Sequence, residues 1–341
     1  MGNEWAAQRG DQQMVRYSRG VRCLVTAAIA GLILAGLMAG SAPAQSLRKI
    51  KVVTNWFAQP EQATVWAALQ AGIYKKHGLD VEIQQGGFRV SHVQVVGAGQ
   101  AQFGMGNGDD VYRGRAQGIP LVAIFTTFQT YPQIMLYHKS HPLKDFKDIN
   151  GRTAFVTVRS SFWQYLKRAY KLDQAKEIAY PGSLAPFLAD EWATAQGYVT
   201  SEPYLLQLQG HTDVGWKLVA DSGYNPYGNI LYTTEQTLRS DPQMVSEFVK
   251  ASLEGVPYYY SHLDDVDKFL LEQNPQHNLA AMVFSARSME PLVKGGDART
   301  HGVGYMTAAR WQELYGQLRQ AGVLDKDEDY TKGFTLQFVG K

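Results

Sequence analysis

Cysteine is almost absent: the 341 residues hold one, Cys23, near the N-terminus. The chain beyond residue 44 has none. Disulfides, a thiolate nucleophile and thiolate metal sites are therefore excluded from its body. An excess of one charge is lacking too. Of 33 Lys and Arg and 31 Asp and Glu, four basic and two acidic residues precede residue 45, leaving 29 of each. A neutral body without basic runs excludes nucleic acid and anionic membranes as expected partners. There is no tandem repeat, no low-complexity tract and no G-x-S-x-G nucleophile elbow. Zinc needs three or four convergent ligands. His138 and His141 are close in sequence but have no acidic companion beside them. No metal and no cofactor is expected.

Long apolar runs are also scarce, with one exception, Cys23 to Gly40. Arg16, Arg19 and Arg22 precede it, and the small residues Ala42-Pro43-Ala44 follow. Basic start, apolar stretch and A-x-A site make a secretory signal peptide over residues 1–44, with cleavage expected before Gln45. An uncleaved anchor is the competing reading, since the run just reaches bilayer length.

The rest alternates strand and helix. Ile50–Trp56 reads as a buried strand, and Ala63, Val65, Trp66, Leu69 and Ile73 recur at helical spacing. Leu79–Gln85, Phe103 onward and Pro120–Thr127 read as further strands. The pattern then restarts, with strands expected at Gln133–His138, Thr153–Val158, Glu177–Tyr180, Tyr198–Ser201 and Trp216–Ala220, and Asn229–Thr233 leading back. Helices follow from Asp241-Pro242 onward. This order predicts an α/β protein with largely parallel sheets. It also predicts two lobes: residues 45–137 open the first, 138–228 form an inserted second, and 229–341 return to the first. Ligands on such sheets bind beyond the carboxyl ends of strands, here in a hinged cleft between the lobes.

Four segments carry a family resemblance. They are Trp56-Phe57-Ala58-Gln59-Pro60, the run Ala71-Gly72-Ile73-Tyr74-Lys75-Lys76-His77-Gly78-Leu79-Asp80-Val81-Glu82, Leu143 to Arg152, and Gln196-Gly197-Tyr198-Val199-Thr200-Ser201-Glu202-Pro203-Tyr204. Together they resemble the solute-binding proteins of the nitrate/sulfonate/taurine and thiamine-pyrimidine-precursor group. The resemblance implies a type II periplasmic-binding-protein fold. It also implies a monomer in the periplasm that binds a small-molecule ligand and delivers it to the membrane permease of an ABC importer. A sensor that presents a ligand to a membrane receptor is an alternative. Enzymes on this fold make a thiamine pyrimidine, with a cysteine-rich motif, or remove sulfinate with a cysteine nucleophile. The missing cysteine counts against both.

Candidate site residues follow from the strand ends. Trp56 and Phe57 are placed to stack on a flat ligand, with Gln62 at the next helix start. Gly104 to Asp110 forms a strand-to-helix turn without the lysine of a P-loop, leaving Asn107 and Asp109 as polar contacts or as caps. Arg159 and Ser160, at a second such junction, suit a carboxylate or sulfonate, although Ser160 also reads as an ordinary N-cap. Tyr198 and Glu202 bracket another strand end. Glu202 either accepts from an aminopyrimidine edge or caps its own helix. Tyr224 and Tyr227 precede the return crossing, and Tyr227 is taken as the ligand contact. Trp56, Tyr198 and Glu202 favour a flat nitrogen heterocycle. Arg159 and Ser160 favour a small sulfonate, nitrate or carboxylate.

Overall fold

The computed structural model describes residues 46–87, 89–325 and 327–339. The leader and cleavage site lie outside the described residues. Among these, no helix is long and apolar enough to cross a membrane.

Among the described residues, ten strands form two five-stranded sheets. The first holds β1 (Arg48–Val53), β2 (Leu79–Gln84), β3 (Phe103–Gly106), β4 (Leu121–Phe128) and β10 (Gly228–Thr234), in the order β2-β1-β3-β10-β4. The second holds β5 (Gln133–His138), β6 (Thr153–Val156), β7 (Lys176–Ala179), β8 (Thr194–Tyr198) and β9 (Val214–Leu218), in the order β7-β6-β8-β5-β9. The two orders follow one plan. In each sheet the first three places are parallel, and an antiparallel strand takes the fourth. That strand is the one arriving from the other lobe, β10 in the first sheet and β5 in the second. The sheets are therefore mixed, with four of the five strands in each running one way, because a strand entering from the opposite lobe runs against its hosts. Since β5 pairs with β8 and β9, the first crossing lies between Phe128 and Gln133, ahead of the boundary expected after residue 137.

Burial follows position in the sheet. The edge strand β2 alternates buried and exposed residues along Leu79-Asp80-Val81-Glu82, whereas all eight residues of the opposite edge strand, β4, are buried, its free side covered where Phe334 and Gly304 bridge to Ala123 and Thr126. The strand expected at Tyr198–Ser201 runs instead at Thr194–Tyr198. Tyr198, Val199 and Thr200 are good strand formers, and the preceding Gly197 reads as a breaker. Gly197 is nonetheless inside β8, paired with Ile134 of β5, and a Cβ there would press to 3.0 Å on Cγ of Glu202. Glu202 ends the strand by accepting the Tyr198 N–H at 2.6 Å.

The first lobe is packed around stacked rings. Phe248, on the helix Pro242–Ser261, has its ring centroid 3.8 Å from that of Phe103 of β3 and 5.6 Å from that of Tyr74, nearly parallel to both. All three are buried. Removing the central ring leaves a cavity between sheet and helix. Phe248→Ala is expected to lower the unfolding free energy by about 3–5 kcal/mol, read from denaturant melts.

Candidate functional site between the lobes

The loop after β1 is held tightly. The Thr54 hydroxyl donates to the Trp56 carbonyl at 2.6 Å and accepts from Gly86 N–H at 3.1 Å. Gly86 lies so close that a Cβ would fall 2.1 Å from the Thr54 carbonyl oxygen. Asn55 and Trp56 are thereby fixed at the strand end. An amide relay starts there. Gln62 Nε2 donates to Asn55 Oδ1, and Asn55 Nδ2 donates to Asn229 Oδ1, each at 3.0 Å. Asn229 Nδ2 donates to the Glu61 carbonyl at 2.6 Å, and its own N–H donates to Asn107 Oδ1 at 3.3 Å. Asn229 has φ +42°, a left-handed conformation that asparagine tolerates better than most residues. The relay brings the ends of β1, β3 and β10 together.

Glu61 joins the lobes. It is 2% exposed, and its Oε1 accepts from the Thr200 hydroxyl of the second lobe at 2.5 Å and from the Ser285 hydroxyl at 3.1 Å. Gln59 donates to its other oxygen at 3.0 Å. Tyr204 stacks on Phe284 across the same seam, with centroids 4.5 Å apart.

The polar heart of the seam lies beside this junction. Asp109, in the first turn of the helix Gly108–Ala116, is buried. Burial first, and then repulsion from Asp110, push its carboxyl up to about 6. Asp110 is also raised by burial, although it accepts the Asn107 N–H at 2.9 Å. Opposite stand Ser160 and Ser161, at the start of the helix Ser161–Tyr170. The Ser160 side chain makes no capping bond. Tyr198, Tyr131 and Tyr224 form an edge-to-face chain at 6.4 and 6.0 Å, and the charges of Asp109 and Asp110 act on all three.

Within the described residues, Gln62 Oε1, Asp109 Oδ1, Ser160 Oγ, Ser161 Oγ and Tyr224 Oη are buried without a hydrogen-bond partner. Ser161 approaches both Asp109 and Tyr224 without closing a hydrogen bond to either. Each such orphan costs about 1–3 kcal/mol, and native interiors hold few of them. Five of the twelve such atoms among the described residues lie along this one seam, where water or a ligand can pair with them. No lysine or arginine among the described residues makes a hydrogen bond or ion pair to Glu61, Asp109 or Glu202.

The structure thus brings Gln62, Asn107, Asp109, Ser160 and Tyr198 to the seam, with Trp56 beside the relay. Phe57 sits at its edge, 39% exposed and packed edge-on against Trp56 at 5.6 Å. Glu202 commits one oxygen to its own turn, accepting from Tyr198 N–H and the Ser201 hydroxyl. Tyr227 is turned away: its hydroxyl accepts from Thr307 N–H at 2.9 Å, and Arg310 lies 4.1 Å over its ring. Its neighbour Tyr224 faces the seam instead. Arg159 is exposed and lines a cavity with Arg113, apart from Trp56. Glu61, Ser161, Asn229 and Ser285 carry no motif and are found only through their partners, and Thr200, although inside the family segment of residues 196–204, shows its place only through Glu61. His138 is a packing residue, stacked on Phe187 and bonded to its carbonyl at 3.1 Å.

A family model described as NMT1/THI5 like matches residues 59–265. The chain belongs to the NMT1/THI5-like family. This NMT1/THI5-like chain is similar to the riboflavin-binding protein RibY of Chloroflexus aurantiacus, 25% identical over 86% of this chain and 87% of that one. It is also similar to the formylaminopyrimidine-binding protein of Halalkalibacterium halodurans, 19% identical over 80% and 86%. Among solved structures, the periplasmic aliphatic sulphonate binding protein SsuA of Escherichia coli superposes with TM-score 0.66 at 13% identity, over 84% of this chain and 92% of that one. The fold is the type II periplasmic-binding-protein fold.

Asp109 supplies a test of the site's electrostatics. Its carboxyl is raised from 3.8 in the ordinary range to about 6, so the folded state holds a proton that the unfolded chain releases. The resulting stabilisation is complete below about pH 4 and is lost as pH rises through 6. Asp109→Asn should remove this dependence. At pH 7 the variant is expected to be more stable than the parent by up to about 3 kcal/mol. Urea unfolding from pH 4 to 7 reads both, and a parallel pair of curves would contradict the burial of this charge.

Proposed function

We propose that the chain is the extracytoplasmic substrate-binding component of an ABC importer, a monomer acting in the periplasm. In this reading it captures a flat nitrogen heterocycle of pyrimidine to flavin type between its lobes and releases it to a membrane permease. Binding and closure make up the whole mechanism, with no chemical step. The observation that carries this reading is the seam itself, where five buried orphan polar atoms lie among Tyr131, Tyr198 and Tyr224. Aromatic edges and faces supply apolar area and shape for a planar ring. Carboxylates and amide oxygens, Asp109 Oδ1 and Gln62 Oε1 foremost, accept from ring N–H and amino groups. The hydroxyls of Ser160, Ser161 and Tyr224 pair with ring nitrogens or carbonyls.

The charge of the seam supports a donor-rich ring over a small anion. Glu61, Asp109, Asp110 and Glu202 all act on it, and a bare sulfonate or nitrate there would meet carboxylates without a compensating cation. The riboflavin-binding and formylaminopyrimidine-binding relatives fit the same ligand class.

A ligand that binds only the folded state raises its melting temperature. Riboflavin or an aminopyrimidine is expected to raise it, and taurine, alkanesulfonates and nitrate to leave it unchanged. Tyr198→Ala and Asp109→Asn should weaken that binding at least tenfold in calorimetry, about 1.4 kcal/mol or more. A sulfonate that stabilises the protein while no heterocycle does would overturn the reading.

A further inference from the structure

At the rim of the seam lies a cavity of about 510 Å³ to which both lobes contribute. Arg113 and Gln117 come from the first lobe, Arg159 and Gln164 from the second, and Asp325 from the C-terminal segment. Two guanidinium groups thus face one carboxylate. Among the described residues, neither arginine forms an ion pair or donates a hydrogen bond to the protein. Other arginines of the chain are engaged in this way: Arg115 with Glu235, Arg152 with three carbonyls, and Arg310 with Asn225.

The cavity is coupled to the site through the chain. Arg113 is one helical turn beyond Asp109 on the helix Gly108–Ala116, and residues four apart on a helix have Cβ atoms about 6 Å apart. Its charge acts on the Asp109 carboxyl. Arg159 immediately precedes Ser160, and Gln164 follows one turn later, its N–H donating to the Ser160 carbonyl at 3.1 Å. The same two junctions that present Asp109 and Ser160 inward therefore present Arg113 and Arg159 at the rim. Charge is graded along this path, acidic inside and basic outside.

We infer that the ligand is bipolar: a donor-rich heterocycle held in the seam, carrying an anionic substituent, a phosphate or carboxylate, that lies between Arg113 and Arg159. This rests on the heterocycle reading and refines its substrate class. Planar guanidinium forks from opposite lobes suit two edges of one anion. Such a substituent would also reward closure, since only the closed protein brings both arginines to it. A small inorganic anion lacks the ring that the orphan groups of the seam await.

The test compares matched pairs, riboflavin with riboflavin 5′-phosphate and an aminopyrimidine alcohol with its phosphate ester. Each is titrated calorimetrically into the purified protein, expressed with its leader intact. The phosphorylated member is expected to bind on the order of ten- to a hundredfold more tightly. In the double variant Arg113→Gln/Arg159→Gln the advantage should vanish while the unphosphorylated member keeps its affinity. Both side chains are at the surface of the cavity, and an unchanged melting curve confirms folding. Asp325→Asn, which removes the acid of the cavity, should strengthen the phosphorylated member a few-fold. Equal binding of the two members, or an advantage that persists in the double variant, overturns the bipolar ligand and leaves the heterocycle reading intact. Binding of neither pair overturns both.

Discussion

The contact between the lobes is organised around one buried carboxylate without a cation. Glu61 comes from the first lobe, and its Oε1 is shared by a hydroxyl of the second lobe and one from the helix Leu279–Lys294. A polar group taken from water needs hydrogen bonds in place of its lost hydration. Here those bonds come from three separate parts of the chain. The Glu61 backbone also receives Asn229, so the residue that joins the lobes also anchors the amide relay from the strand ends. Separating the lobes would return the carboxylate to water and free Thr200. The cost of opening is thereby moderated, because hydration replaces what closure supplied.

Around this junction the molecule divides its polar groups in two. Those that hold the scaffold are satisfied: Asn107 and Asp110 cap a turn, Glu202 ends a strand, and Thr54 and Gly86 lock a loop. Others that face the seam, Gln62, Asp109, Ser160, Ser161 and Tyr224, are each left open on at least one atom. The distinction runs within single residues, since Gln62 donates to Asn55 with its nitrogen while its oxygen stays unpaired. Rigid placement and open valence on the same side chain are what selective recognition of a small molecule requires.

Much of the fold is legible in the sequence because its signals are local. Gly72 and Gly78, both at positive φ, bracket the short helix Ile73–Lys76 ahead of β2, and the family segment of residues 71–82 spans them. The strand order and the mixed direction of the sheets are long-range facts, and β5 and β10 look like any other apolar strand in the sequence. At the site, the rule of strand ends points to Trp56, Asn107, Asp109, Ser160 and Tyr198. The rule fails where a partner lies on the other lobe: Glu61 reads as a loop acid, and Thr200 as a strand residue. It also fails between Tyr224 and Tyr227, three residues apart, where only packing against Trp311 and Arg310 shows which one belongs to the core.

The pairing of β4 with β10 has a further meaning. Phe128, the last residue before the chain leaves the first lobe, stands directly opposite Gly228, the first on its return. On the far side Ile134 stands opposite Leu218, with β5 between β8 and β9. The whole second lobe therefore takes the place that a tight turn would occupy at the tip of an antiparallel hairpin, between Cα atoms about 5 Å apart. A domain of this size has been accommodated in a gap that two residues could bridge. The architecture is in this sense a graft: the inserted lobe's own ends meet on the adjacent strands β5 and β9, and the host sheet keeps the pairing of β4 with β10 across the insertion.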